Sequence, residues 1–113
     1  MADYLFVPTE HFKVRLSRIE SHDPPGYGRI MAVIERLLRN PADADGRMHG
    51  PHRGFLKKYV GRREYRLLYY YCELCRKANE RRLNECDNCA SIPDNSVIFF
   101  DVFHKNEKEK LHY

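Results

Sequence analysis

The four cysteines of this 113-residue chain form two closely spaced pairs, Cys72 with Cys75 and Cys86 with Cys89. The pattern C-x2-C-x10-C-x2-C is typical of a zinc ribbon or zinc knuckle. Four soft thiolates in a tetrahedral arrangement suit Zn²⁺, whereas a redox-active Cys-x-x-Cys motif would not need a second copy, and we expect no disulfides in a cytoplasmic chain. Because four sulfur ligands leave no open coordination position, we expect one structural Zn²⁺ that closes a loop and does not activate water.

Arg66 is the second residue whose setting points to chemistry, because it is the only charge in the segment 65–71, YRLLYYY. Apolar residues on both sides of this period-two pattern predict a central strand that is covered on both faces. The planar guanidinium of arginine donates two hydrogen bonds to a phosphate and does not lose its proton. The alternative is a structural arginine paired with a carboxylate.

Metal-free cleavage of RNA by its own 2′-hydroxyl requires a base, cations for the phosphorane and an acid for the 5′-oxygen. Arg66 suits the phosphate, and His104 can act as base or acid because histidine changes charge near neutral pH. Lys57 is a further candidate base. His104 can equally be an ordinary histidine at the end of a strand.

The composition indicates one globular domain, with 42% hydrophobic and 32% charged residues. No apolar run approaches the roughly 18 residues of a membrane span, and the N-terminus lacks a signal peptide, so we expect a cytoplasmic protein that binds no membrane. The net charge is +4, which permits an acidic partner. Residues 53–66 concentrate the positive charge, with Arg53, Lys57, Lys58, Arg62, Arg63 and Arg66 against a single acid, Glu64.

The first 41 residues predict a strand followed by two helices. Residues 4–7 form a short apolar strand before Pro8. Thr9 can cap the first helix, and Asp23 or a neighbour can cap the second, whose apolar residues recur at helical spacing until Asn40-Pro41.

The rest of the chain predicts a loop at 42–54 and then a hairpin of strands 55–60 and 65–71, joined at Gly61. Residues 97–103 predict another core strand, and the charged tail from 104 predicts a helix. The predicted fold class is therefore α+β, with two N-terminal helices on one face of a small sheet and the order β-α-α-β-β-(zinc insert)-β-α.

The segments GRMHGPHRGFLKKYVGRREYRLLYYY and VIFFDVFHKNEKEKLHY together resemble the sheet of the RelE/ParE-superfamily toxins. The shared features are a glycine-containing loop, a basic strand that ends in a glycine, a Tyr-Arg pair that opens a strand, and a basic pair after the last strand. The resemblance covers residues 1–113 as a single RelE-like domain, except for an inserted zinc knuckle at about 72–96.

The resemblance implies a toxin with an antitoxin protein as its partner, and in the RelE branch a ribosome-dependent endoribonuclease that cleaves mRNA. By position, Arg66, Lys57 and Lys105 match basic residues of the family pattern, and Tyr113 stands near the family's terminal tyrosine. Tyr59 departs from the pattern, because a second basic residue is common there. We expect catalytic roles for Arg66, Lys57, His104, Lys105 and Tyr113, and RNA binding by Arg53, Lys58, Arg62 and Arg63.

Two other functions stay open. A ParE-type toxin would inhibit gyrase without cutting RNA, and Lys57, Arg66, His104 and Lys105 on one concave face would favour the nuclease. A zinc-ribbon module would contact nucleic acid through the basic residues of the insert, among them Arg76 and Arg81.

The zinc hypothesis predicts one Zn²⁺ per chain by elemental analysis. Since a closed thiolate site acts through folding, chelation should lower the melting temperature, and Cys72→Ser should be destabilised or insoluble. Activity should not depend on added divalent ions. A metal-free preparation with an unchanged melting temperature would contradict the prediction, as would a Zn²⁺ that carries a water ligand.

Overall fold

A computed structural model describes residues 4–47, 55–62, 64–72, 93 and 95–105. Within these residues two helices pack with a five-stranded mixed sheet, which confirms the predicted α+β class. The strands are β1 (Leu5–Pro8), β2 (Gly46–Arg47), β3 (Leu56–Val60), β4 (Tyr65–Tyr71) and β5 (Ser96–His104), and the helices are α1 (Glu10–His22) and α2 (Pro24–Arg39). The sheet order is β1-β5-β4-β3-β2, so β4 is the central strand.

Both helices begin at the predicted caps. The hydroxyl of Thr9 accepts a hydrogen bond from the Phe12 amide at 3.2 Å. The carboxylate of Asp23 accepts one from the Gly26 amide at 3.2 Å, with prolines in the first turn of α2. Neither described helix has the length and apolar character needed to cross a lipid bilayer.

The core contains buried residues from both faces of the sheet, among them Tyr69 and Tyr70 of β4, and the helices pack on one of these faces. From α2 it contains the predicted apolar positions Ile30, Val33, Ile34 and Leu37, and from α1 it contains Phe12. Phe12 packs on Phe99 of β5, with ring centroids 5.4 Å apart. This packing fixes which face of each strand meets the helices.

The β3–β4 hairpin turns at Gly61, as predicted, and its φ of +64° is a left-handed conformation that favours glycine. β4 pairs antiparallel with β3 and β5, and β1 pairs parallel with β5. The β4–β5 register shifts between the Leu68–Asp101 and Tyr69–Phe99 pairs, and Phe100 falls between them.

Part of the segment predicted as a loop forms the edge strand β2, which pairs with β3. Asp45 explains the difference. Its amide donates to the Lys57 carbonyl at 2.9 Å, and its carboxylate accepts from the Tyr59 amide at 2.7 Å. Of the tail predicted as a helix from residue 104, His104 is instead the last residue of β5 and Lys105 lies in a turn. The rest of that tail and most of the predicted zinc insert lie outside the described residues.

Asp101 is a fully buried carboxylate within β5. Its Oδ1 accepts from the Val102 amide at 2.8 Å and lies 3.1 Å from His11 Nε2 and 3.3 Å from Arg15 Nε on α1. Burial raises the pKa of Asp101, and the nearby charges of His11 and Arg15 oppose that shift. The contact therefore ties α1 to β5 at a desolvation cost.

This raised pKa predicts a defined pH dependence of stability. Between the ordinary value of 3.8 and the raised pKa, the folded chain holds a proton that the unfolded chain has released, so the free energy of unfolding falls as pH rises. We expect urea unfolding to show that the Asp101→Asn variant lacks this fall. The variant and its parent should both carry His11→Gln, so that the imidazole does not titrate.

Glu35→Gln, which alters an exposed carboxylate on α2, is the matched control and should show no such difference. The measured quantity is the free energy of unfolding of the parent minus that of the Asp101→Asn variant. If this difference does not change with pH, or if it increases as pH rises, the prediction is wrong.

Candidate functional site

Strand register divides the hairpin residues between two faces of the sheet, because side chains alternate along a strand and directly paired residues share a face. Lys57, Tyr59, Arg66 and Leu68 lie on one face, since Lys57 pairs with Leu68 and Tyr59 with Arg66. We call this the Arg66 face. The other face carries Tyr65, whose hydroxyl donates to Asp23 at the start of α2, so this is the helix-covered face.

Arg66 is a half-buried cation in the central strand with no ion-pair partner among the described residues. Its Nε is buried and donates no hydrogen bond within that part of the chain. Its Cζ lies 5.0 Å from the ring centroid of Tyr59, and on β5 its paired neighbour is Phe103. The structural ion pair that the sequence left open is therefore not seen where the chain is described.

Lys57 is the second cation on the Arg66 face. Its Nζ lies 5.7 Å from the centroid of the same Tyr59 ring, and its side chain crosses Gly46 of β2. A Cβ at Gly46 would lie 3.0 Å from Lys57 Cε, so the glycine leaves room for the lysine. No carboxylate in the described ranges pairs with Lys57.

Lys58 and His104 lie on the helix-covered face. Lys58 Nζ is 3.4 Å from Asp43 and 3.5 Å from Asp45, and the side chain is 15% exposed. The His104 ring packs edge-on against Tyr65, with centroids 5.4 Å apart. The structure therefore does not bring these two residues to Lys57 and Arg66. The arrangement of Lys57, Arg66, His104 and Lys105 on one concave face, which would have favoured the nuclease over the ParE-type toxin, is not seen, because His104 lies on the other face. The roles of Lys58 in RNA binding and of His104 in catalysis stay predictions.

The other predicted site residues lie at or beyond the described edges. Lys105 is exposed just after β5, and its amide donates to the Glu64 carbonyl at 3.0 Å. Arg62 is exposed in the hairpin turn and lines a shallow cavity of about 300 Å³ with Arg29 and Glu64. Outside the described residues lie Arg53, Arg63 and Tyr113.

A polar network on the helix-covered face surrounds His104. The Tyr65 hydroxyl donates to Asp23 Oδ2 at 2.8 Å, and this hydrogen bond holds the pKa of Asp23 below its ordinary value. Arg29 forms an ion pair with Glu64, which raises the pKa of the guanidinium. Asp23 and Glu64, the two acids of this network, are already paired. The network therefore stabilises the fold and offers no free carboxylate as an acid or a base.

The sequence did not reveal the cluster of His11, Arg15 and Asp101. A signal was present, because Asp101 is the only charge in the apolar segment 97–103, just as Arg66 is in its strand. The partners are about 90 residues away in sequence, and only the fold identifies them.

Cys72 is the one predicted zinc ligand within the described residues, and it is 5% exposed directly after β4. The other three cysteines lie outside them, and the part of the chain that is described holds no group of three metal-ligating side chains. The zinc site stays a prediction.

Chemically, the Arg66 face presents two cations about one aromatic ring, and neither forms an ion pair with a described carboxylate. Asp101, which register places on the same face beside Leu68, lies instead within hydrogen-bonding distance of His11 and Arg15. The Nε of Arg66 is enclosed, so an anion would be bound by the outer Nη donors of the guanidinium. The arrangement therefore suits a phosphate or another anion.

Comparison with solved structures finds a similar fold. A chain in the crystal structure of the RelBE2 toxin–antitoxin complex from Mycobacterium tuberculosis matches with a TM-score of 0.62 and 17% sequence identity. The match covers 93% of this chain and 94% of the other. No protein-family model matches, and the search of curated proteins finds no match. At 17% identity, this match shows a shared fold only.

Proposed function

We propose that this chain is the toxin of a toxin–antitoxin pair and acts as a ribosome-dependent endoribonuclease on mRNA. The observation that carries the proposal is Arg66, a half-buried guanidinium on the central strand that has no ion-pair partner among the described residues. A fold shared with a chain of a toxin–antitoxin complex supports the toxin class. The sequence resemblance to the RelE branch supports RNA as the substrate.

In the proposed reaction, the 2′-hydroxyl of one ribose attacks the adjacent phosphorus and the 5′-oxygen leaves. Arg66 and Lys57 would bind the non-bridging oxygens as negative charge grows in the phosphorane, which is electrostatic stabilisation by preorganised donors. The reaction also needs a base and an acid. His104 lies on the other face by register, and Lys57 is needed on this face as a charged ammonium, so neither serves as the base here. The base that takes the 2′-hydroxyl proton and the acid that protonates the 5′-oxygen would be supplied from outside this face, by the ribosome or its bound water.

The ribosome would supply what this face lacks. Attack requires the 2′-hydroxyl, the phosphorus and the leaving oxygen to lie in line, and fixing that geometry accounts for much of a barrier of this kind. An mRNA strand held by the ribosome has fewer conformations than a free strand. In this proposal the ribosome positions the mRNA, and the toxin mainly stabilises the negative charge of the phosphorane.

The nuclease proposal predicts that Arg66→Ala lowers the rate of cleavage of ribosome-bound mRNA about a hundredfold or more, as for loss of one electrostatic stabiliser. The measurement is primer extension on mRNA 5′ ends with purified ribosomes. Arg39→Ala, which removes an exposed arginine on α2, is the matched control and should cut at the wild-type rate.

Melting curves should show that the Arg66→Ala protein is folded. Cleavage by that folded protein at the wild-type rate would refute the role of Arg66. Growth arrest without new mRNA 5′ ends would instead favour the ParE-type toxin.

The partner proposal is an antitoxin with an acidic or amphipathic segment that covers the Arg66 face. Two cations that lack carboxylate partners in the described chain would be neutralised by such a segment. We expect a small protein encoded next to this gene to co-purify, to abolish RNA binding, and to bind the Arg66→Ala, Lys57→Ala double variant more weakly than wild type. No such neighbour, and no effect of expression on growth, would favour the zinc-ribbon binding module.

A further inference from the structure

The ring of Tyr59 lies close to both cations of the Arg66 face. Its ring centroid is 5.0 Å from Arg66 Cζ and 5.7 Å from Lys57 Nζ. Both distances lie within the roughly 6 Å over which a cation is attracted by the face of an aromatic ring. One ring therefore interacts with both cations at once.

We propose that Tyr59 is a positioning residue that holds Lys57 and Arg66 in the geometry that receives a phosphodiester of RNA. The proposal rests on the function proposed above. It adds the residue that keeps the two cations close together and directed at one anion.

An aromatic ring can hold a cation without using its N–H donors or cancelling its charge. A carboxylate at this position would fix the guanidinium by accepting its N–H bonds, and would cancel the charge that a phosphate needs. A third cation would repel both neighbours. The ring attracts through its quadrupole and accepts no in-plane N–H bond, so the donors of Arg66 stay available for an anion.

Tyr59 is itself fixed on two sides. Its amide donates to Asp45 Oδ2 at 2.7 Å, which ties β3 to the segment before β2. Across the hairpin it pairs directly with Arg66, so the two side chains leave neighbouring strands on the same face. The ring is half-buried, and little conformational freedom remains to be lost when an anion binds.

The test measures binding of a short RNA in which every ribose is 2′-O-methylated and cannot be cleaved. Fluorescence anisotropy at several salt concentrations gives the affinity and its salt dependence for wild type and for Tyr59→Phe, Tyr59→Leu and Tyr59→Lys. Arg66→Ala and Lys57→Met are measured beside them, and melting curves check that every variant is folded.

We expect Tyr59→Phe to bind within about twofold of wild type, because the ring is kept. Tyr59→Leu should bind about tenfold more weakly, which corresponds to a cation–π contact between the exposed and the desolvated limits. Its salt dependence should stay unchanged, because no charge is lost. Lys57→Met should instead reduce the slope of log K against log salt by about 0.7, the value for one phosphate contact on a single strand.

A second readout follows Arg66 without any RNA. The Nε–H resonance of Arg66 in a ¹⁵N-labelled sample should show the ring-current shift of Tyr59 in wild type and in Tyr59→Phe, and should lose it in Tyr59→Leu. This measurement reports the position of the guanidinium whether or not the protein is a nuclease.

The outcomes separate the two proposals. If Arg66→Ala and Lys57→Met bind the RNA as wild type does, the proposed function of this face fails. If these variants are weakened but Tyr59→Leu is not, the face binds RNA and the positioning role is wrong. Tighter binding by Tyr59→Lys would also overturn the positioning role, because a cation would then serve better than the ring.

Discussion

The contact between the Arg66 guanidinium and the Tyr59 ring is the interaction on which the candidate site depends. Arg66 lies on the central strand, between Tyr59 on β3 and Phe103 on β5, and none of the described carboxylates pairs with it. Arginine does not lose its proton at such a site, so the charge persists in a half-buried position. A cation–π contact worth about 0.5–2 kcal/mol offsets part of the desolvation of this charge. The N–H donors of the guanidinium have no acceptor among the described residues.

Alternation along β3 gives neighbouring lysines opposite environments. Lys58 faces α2 and is neutralised by Asp43 and Asp45, so its charge contributes to holding the β3 edge of the sheet. Lys57 faces the other way and crosses Gly46 to reach the Tyr59 ring. A shift of one residue in the register of β3 would exchange these two environments, because it moves each side chain to the other face. The hairpin turn at Gly61 therefore matters to the site as well as to the fold.

The elements that local rules specify were predictable from sequence. Thr9 and Asp23 cap the helices as expected, and β4 is the central strand that its aromatic pattern indicated. The two-residue strand β2 was not predictable, because it depends on hydrogen bonds that Asp45 makes with a strand 12 or more residues later.

The sequence also could not predict on which face of the sheet His104 lies. It follows from pairing with Tyr65 in a strand whose register shifts at Phe100, and no periodicity within β5 alone reveals such a shift. The Arg66 environment was predictable in part: the lone charge was visible, but its aromatic partner across the hairpin required the register.

The two lone charges of the core strands show what distinguishes a structural charge from a candidate functional one. Asp101 and Arg66 give the same signal in sequence, a single charge in an apolar run. In the fold, Asp101 Oδ1 receives the Val102 amide and lies within hydrogen-bonding distance of the cationic side chains His11 and Arg15, which tie α1 to β5. Its Oδ2 is buried without a partner among the described residues, as is the Nε of Arg66, so the difference between the two charges is the counter-charge that only Asp101 has. Arg66 receives an aromatic ring in place of a counter-charge. A charge whose compensation comes from within the fold stabilises the fold, whereas a charge held in place but not neutralised is suited to an external ligand. By this criterion Arg66, and not Asp101, marks the surface where a polyanion would bind.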